Sequence, residues 1–323
     1  MKIRTSHSLL LALLAVLPSI AIAQVQSSAS YGGLAGAPMR MGFGSRGIAM
    51  GNAMTAVLSG DLQSYYNPAL TTFESAPTAA ASYGVLSLDR RLNYLSYTQR
   101  LEPKAGISFS IINAGVGNID GRDADGNHTQ TLSTSENSFI FSFGLHPDPR
   151  LSIGVSAKIL YYSLYQSLSS TTVAFDLGAL YRLTPTVTLG AVIQDINARY
   201  KWDSSPLYGT EGNAFFDRYP LRKRLGVSWD PGVLPVILSG EIEYIGSEPL
   251  LRFGTEVAVV DGLSLRGGVD RISLKSDFPD APSLGFSAEQ PMRGWTPSFQ
   301  YAYVFEPSSP SGIHILTLSV RFE

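Results

Sequence analysis

From about Thr78 to Phe322 the chain repeats one theme: apolar and polar positions alternate through segments of roughly ten residues, with turn residues between segments. The last segment sets Leu316, Leu318, Val320 and Phe322 on one face and Thr317, Ser319 and Arg321 on the other. The segment before it sets Phe299, Tyr301, Tyr303 and Phe305 against Ser298, Gln300 and Ala302. Val173, Phe175, Leu177, Ala179 and Tyr181 oppose Ala174, Asp176, Gly178 and Arg182. Leu251, Phe253, Val257 and Val259 oppose Arg252, Gly254 and Glu256. Side chains of a strand alternate sides, so each segment has a greasy face and a polar face. The pattern predicts an all-β chain of about fourteen antiparallel strands.

Alternation alone also suits a soluble sandwich with its polar face outward. Three features favour a transmembrane β-barrel. The segments cluster near ten residues, the length of a tilted membrane strand, whereas soluble strands usually have about five or six. The connections sort into a short set, such as Thr184-Pro185, Asp230-Pro231-Gly232 and Asp261-Gly262, and a long set, such as Gly115–Thr134, Asn197–Pro220 and Ile272–Pro282. Outer-membrane barrels have short periplasmic turns and long outer loops. Tyr181, Trp229 and Phe322 end apolar faces at one rim and Tyr161 and Tyr244 at the other, as interfacial girdles do.

The charges follow the polar face. Lys158, Asp176, Arg182, Glu241, Glu243, Arg252, Glu256, Arg266 and Arg321 are all placed toward the lumen by the alternation. Glu241 and Glu243 are expected to pair with Arg252 or Arg266. Only 15% of the residues are charged, the net charge is −2 and no Lys/Arg cluster occurs, so nothing points to nucleic acid. Cysteine is absent, which removes disulfide, thiolate-metal and thiol-nucleophile chemistry.

Residues 1–23 have the layout of a signal peptide: Lys2 and Arg4, an apolar run from Leu9 to Ile20, then Ala21-Ile22-Ala23 before Gln24. The chain is therefore expected to be exported to the outer membrane, with membrane lipid around it. Residues 24–77 break the alternation and are rich in Gly, Ala and Met. They are expected to form a plug inside the barrel of residues 78–323, with a short helix of small residues, Ala49-Met50-Gly51-Asn52-Ala53-Met54, within Ser45 to Leu58.

Within that segment, Gly42-Phe43-Gly44-Ser45-Arg46-Gly47-Ile48-Ala49-Met50-Gly51-Asn52-Ala53 is followed by Ser59-Gly60-Asp61 and Tyr65-Tyr66-Asn67-Pro68-Ala69-Leu70. This set resembles the N-terminus of the PorV/PorQ family, part of the wider FadL-like group of outer-membrane barrels. Asn67-Pro68-Ala69 is similar to the triplet in the hatch of FadL transporters, and Gly312-Ile313-His314 leading to Val320-Arg321-Phe322 is similar to the family's last strand. The resemblance implies a fourteen-stranded barrel with a plug in which Gly44, Arg46, Met50, Gly51, Asn67, Pro68 and Ala69 carry the plug motif. It also implies two roles: an accessory of type IX protein secretion, with secreted proteins or secretion components as partners, or a FadL-like channel for hydrophobic small molecules. The long connection Asn197–Pro220, with Tyr200, Trp202, Phe215 and Phe216, is the most aromatic outer loop. It is a binding lip for either kind of partner, or else a loop folded over the barrel mouth.

Other motifs carry less. Gly42-x-Gly44-x-x-Gly47 matches a dinucleotide fingerprint in spacing but lacks the preceding strand and the βαβ unit, so no cofactor is expected. Asp120-Gly121-Arg122-Asp123-Ala124-Asp125-Gly126 has the wrong spacing for a calcium loop. His128, His146 and His314 fall far apart in this topology, with no Ser/His/acid set and no metal-ligand spacing. No enzyme is expected.

Overall fold

The computed structural model describes residues 34–61, 64–165, 168–246, 248–274, 279–306, 309 and 311–323. The expected signal peptide at 1–23, and the first residues of the expected plug, lie outside them.

Fourteen strands of the described residues close into one antiparallel barrel. In chain order they are β1 (Thr78–Val85), β2 (Arg90–Leu101), β3 (Ala105–Val116), β6 (Ser135–Asp148), β7 (Leu151–Tyr165), β8 (Leu168–Arg182), β9 (Val187–Ile196), β12 (Arg222–Trp229), β13 (Val236–Ile245), β14 (Glu248–Val260), β15 (Leu263–Ser273), β16 (Ala281–Glu289), β17 (Trp295–Val304) and β18 (Ile313–Phe322). Each pairs with its neighbours, and β1 closes on β18 from Thr78↔Arg321 to Val85↔His314. Closure leaves no unpaired sheet edge, which is the condition for a sheet to cross hydrocarbon.

Exposure along the strands is inverted relative to a soluble protein. Leu318 is 62% exposed and its neighbour Ser319 3%. Leu95, Phe109, Phe141, Leu177, Phe253 and Leu284 point out, while Ser96, Ser110, Ser142, Ser156, Ser239 and Ser283 are buried inside. An outside of aliphatic and aromatic side chains over an inside of hydroxyls is stable where the surroundings are lipid.

The loops sort less cleanly than the sequence predicts. One rim has only short turns, such as 149–150 and 261–262. The other carries two long connections, 117–134 and 197–221, but also the short turn 86–89, and only two residues separate β7 from β8 and β13 from β14. β7 and β8 explain one of these, since both are 15 residues long and use as strand the length expected of a loop. The long connections fold into hairpins of their own: β4 (Ile119–Arg122) with β5 (His128–Leu132), and β10 (Arg199–Asp203) with β11 (Ala214–Arg218).

The described residues of 35–77 run through the lumen. The helix lies earlier than the expected run 49–54: α1 (Ser45–Ala49) ends because Gly51 and Asn52 both take positive φ, 58° and 59°. A residue with Cβ at Gly51 would press within 2.6 Å of the Val269 carbonyl oxygen on the wall. A 3-10 turn, Pro68–Phe73, follows, and the chain then enters β1.

Candidate functional site

The plug seats on a wall stripped of side chains. Gly106, Gly144, Gly154 and Gly178 are cross-strand partners on four successive strands, β3, β6, β7 and β8. A Cβ on any of them would collide with Asn67, Pro68, Ala69, Thr71 or Thr72. The absent side chains let the 3-10 turn lie directly on the sheet backbone. Asn67 is the bolt at this seat. Its Oδ1 accepts from the Ala69 amide at 3.0 Å, which caps the turn, and its Nδ2 donates to Thr55 O at 3.0 Å and to Ala179 O on β8 at 3.2 Å. Ser152 on β7 adds a bond to Ala69 O at 3.0 Å. On the opposite wall, the Ser45 amide donates to Thr317 Oγ1 on β18 at 2.9 Å.

One flank of the lumen, from β12 to β15, is ionic. Glu243 lies between Arg222 and Arg252, and Glu241 pairs with Arg224 at 2.5 Å and with Arg252 at 3.4 Å. Arg252 also holds Asp270. Three plug contacts lock onto this set. Arg224 Nη2 donates to Asn52 O at 2.8 Å, the Thr55 amide donates to Glu241 at 3.2 Å, and Asn52 Nδ2 donates to Asp270 at 2.9 Å. Arg46, 2% exposed, forks onto Glu256, which Arg266 holds from the other side. A second cluster places Lys158 on β7 against Asp176 and Asp195 at 2.7 and 2.8 Å. Buried charges of this kind persist only when each is paired and hydrogen-bonded.

Two strand irregularities lie beside these acids. The β8–β9 pairing shifts register beside Asp195, φ 65°, and the β14–β15 pairing shifts beside Asp270 and Arg271, whose φ is 63°. An inserted residue re-aims a side chain, and the β8–β9 bulge turns Asp195 onto Lys158, while Asp270 keeps the inward phase of Arg266 and meets Arg252 across the β14–β15 shift.

The flank from β2 to β7 is apolar. Leu92, Tyr94, Ile112, Ala114, Ile140 and Leu160 point inward and are buried in one cluster with Met39, Phe43, Tyr65, Tyr200, Trp202 and Tyr219. Phe43 stacks on Tyr94 at 5.6 Å and meets Tyr65 edge-on at 4.7 Å. At the mouth, Tyr162 lies 4.9 Å from Tyr200 and 5.2 Å from Trp202, and Tyr219 lies 5.1 Å from Tyr200. Tyr200 donates to Glu136 at 2.7 Å. Burial pushes the Tyr200 and Tyr219 phenols far above their ordinary pKa, so both stay protonated.

Of the residues named from the sequence, Gly44, Arg46, Met50, Gly51, Asn67, Pro68 and Ala69 all lie in the lumen segment. The loop set splits. Tyr200 and Trp202 are folded under the β10–β11 hairpin at 3% and 4% exposure, whereas Phe215 and Phe216 stand out at 53% and 50%. Among the charges, Asp176, Glu241, Glu243, Arg252, Glu256 and Arg266 sit in the buried clusters described above. Arg182 lies over the plug's Phe73 ring at 5.3 Å, and Arg321 faces Glu289 at 3.7 Å. The expected pairing of Glu241 and Glu243 needs correction: Arg252 is a partner of both, but Arg266 is not. Arg266 sits on Glu256, and Arg222 and Arg224 take its place. Those two arginines, with Asp195 and Asp270, were missed by sequence reasoning. Arg222 and Arg224 flank Lys223 at strand spacing, a signal that was present. Asp195 is out of phase with simple alternation, whereas Asp270 shares the phase of Arg266, so its signal was present too. His128 pairs with Asp120, His146 packs on Phe73 and His314 on Tyr301, so the three histidines form no common site.

No family model matches the chain, and no curated protein matches it. Solved structures do. The monoaromatic hydrocarbon channel CymD aligns with TM-score 0.64 at 13% identity, over 88% of this chain and 98% of its own. The Pseudomonas putida toluene transporter TodX aligns with TM-score 0.61 at 13% identity, over 86% and 96%. The fold is that of the FadL-like channels. A Pseudomonas aeruginosa FadL homologue is similar as well, with TM-score 0.57 at 12% identity, over 86% of this chain and 97% of its own. CymD is described as a channel and TodX as a transporter.

Proposed function

We propose that this protein is a FadL-like outer-membrane channel that admits small hydrophobic molecules. The observation that carries the reading is the continuity of the apolar flank. From Trp202 and Tyr162 at the mouth it passes through Tyr200 and Tyr219 to Met39, Phe43 and Tyr94 in the lumen, with the Glu136 carboxylate beside it as the acceptor of the Tyr200 hydroxyl. Such a surface takes up apolar and aromatic solutes by burial and ring stacking and offers little to sugars or ions. The ionic flank opposite holds the plug and gives the lumen its shape. The plug motif and the neighbours' hydrocarbon-channel descriptions agree with this role.

The secretion-accessory role implied by the PorV/PorQ resemblance has less support, since no family model matches and the similar structures are described by the small molecules they carry. The two readings separate in one preparation. The barrel is isolated from detergent-solubilised outer membranes and examined by mass spectrometry for small molecules and for proteins together. A retained apolar compound, lost when Tyr162 and Trp202 are replaced by serine, supports the channel. A stoichiometric exported protein with no apolar compound supports the accessory role instead.

A further inference from the structure

Six lumen acids share one trait: Asp176, Asp195, Glu241, Glu243, Glu256 and Asp270 each rest on a lysine or an arginine. Glu136 departs from it. It lies on β6 in the inward phase of Ser138 and Ile140, beside the aromatic cluster of the mouth. Its Oε2 accepts from the Tyr200 hydroxyl at 2.7 Å, and it forms no ion pair among the described residues. The Arg40 guanidinium of the plug acts on it through space only. Its other oxygen, Oε1, takes no hydrogen bond among the described residues and is not enclosed.

Tyr162 on β7 is the cross-strand partner of Glu136 and shares its face of the wall. Its ring packs against Tyr200 and Trp202 at 4.9 and 5.2 Å. Its hydroxyl likewise has no partner among the described residues and is not enclosed. A carboxylate oxygen that can only accept therefore neighbours a phenol that can donate, at the edge of a surface made of rings. A hydrocarbon lying against those rings strips water from Oε1 and gives nothing back, and a desolvated acceptor left without a donor is unfavourable. A hydroxyl on the solute restores the lost bond, and its own oxygen can accept from Tyr162.

We propose that the mouth selects aromatic solutes carrying a hydroxyl over plain hydrocarbons, with Glu136 as the specificity-determining acceptor and Tyr162 as the second polar contact. This rests on the channel reading above and names the solute class that the same site prefers.

The test measures initial uptake of radiolabelled p-cresol and p-xylene, which differ by a hydroxyl in place of a methyl. Cells have the gene deleted or restored, and the rate in deleted cells is subtracted. The readout is the ratio of the two half-saturating concentrations. With the parent protein p-cresol should half-saturate at about one tenth of the p-xylene concentration, the size of one hydrogen bond to a charged acceptor. Glu136→Leu should abolish the difference, and Tyr162→Phe should reduce it. Tyr200→Phe removes the hairpin's bond to Glu136 but keeps the carboxylate, so the preference should persist. Heat-modifiable gel mobility identifies folded barrels, and Glu136→Leu and Tyr162→Phe stand in for each other if one fails to fold. Equal half-saturation with the parent protein would overturn the selectivity and leave the channel reading standing. Loss of the preference in Tyr200→Phe as fully as in Glu136→Leu would show that Glu136 acts only by holding the hairpin, and would overturn it too. Uptake of neither compound above the deleted cells would remove the channel reading itself, and this inference with it.

Discussion

Arg46 in the plug and Glu256 in the barrel wall stand 210 residues apart in sequence and are joined by two hydrogen bonds of 2.8 and 3.1 Å. Arg266 shares the same carboxylate. The pair is therefore asymmetric in its consequences. Glu256→Gln leaves two buried guanidiniums on a neutral amide, and breaking a buried pair from one side costs about 3–5 kcal/mol. Arg46→Ala leaves Glu256 still held by Arg266 and should cost less. Amide hydrogen exchange over residues 45–58 should rise strongly in Glu256→Gln and moderately in Arg46→Ala. The reverse order would refute the assignment of Glu256 as the shared anchor.

A second prediction concerns the seat of the 3-10 turn. A Cβ at Gly178 would fall 2.1 Å from Asn67 Oδ1. Gly178→Ala should therefore unseat the turn, at a cost of about 1–3 kcal/mol typical of overpacking. Cells carrying it should become more sensitive to bulky antibiotics that the intact plug excludes. Asn67→Ala combined with Gly178→Ala removes the clash and should recover part of the barrier. If the double variant leaks more than Gly178→Ala alone, the collision is not the cause.

The barrel was legible in the sequence because one force wrote it. Alternation between lipid and lumen repeats in every strand, so β17 and β18 could be read residue by residue. The lumen contents were legible only as a list. Arg46, Asn67 and Glu256 could be named, but their partners could not, because those contacts cross between strands whose register depends on bulges. Asp195 was invisible for that reason: a bulge places it out of phase with the alternation that revealed Asp176 and Glu241, whereas Asp270 shares the phase of Arg266 and could have been named with it. The sequence offers Asn197–Pro220 as a binding lip or as a loop folded over the barrel mouth. Its fold into a hairpin buries Tyr200 and Trp202, because β10 lies against β8, and leaves every residue of β11, Phe215 and Phe216 included, exposed.

That split gives a third prediction. Phe215→Ser with Phe216→Ser removes two half-exposed rings and the Arg199 contact on Phe216 at 4.6 Å, and should leave the barrel folded while slowing capture of apolar solutes. Tyr200→Phe removes the donor to Glu136, a bond to a charged group worth about 1.5–3 kcal/mol. It should loosen the hairpin, seen as faster exchange of the β10 and β11 amides. Unchanged exchange would show that packing against Tyr162 and Trp202 alone holds the hairpin.

A fourth prediction is a pH dependence in the β4–β5 hairpin. Hydrogen bonds from His128 and then Arg122 hold the Asp120 carboxyl below its usual range. A folded-state value below the unfolded one stabilises the hairpin above the ordinary carboxylate pKa, about 3.9, and that contribution fades as pH falls through the lowered value. Amides of β4 and β5 should keep their protection at pH 5 and lose it in strong acid, and Asp120→Asn should reduce that dependence, the remainder coming from Asp123, whose carboxyl hydrogen bonds from Asn127 also hold low. A hairpin whose protection is the same in both proteins at every pH would show that the ion pair contributes nothing.

The channel reading rests on passage of apolar solutes through this barrel. It is tested most directly by the initial uptake rate of a radiolabelled aromatic hydrocarbon at low external concentration, in cells with the gene deleted, restored, or restored as Tyr162→Ser with Trp202→Ser. The account predicts slow uptake after deletion, full recovery with the restored gene and poor recovery with the double variant, while uptake of a small sugar stays constant throughout. Equal hydrocarbon uptake in the deleted and restored cells would contradict it.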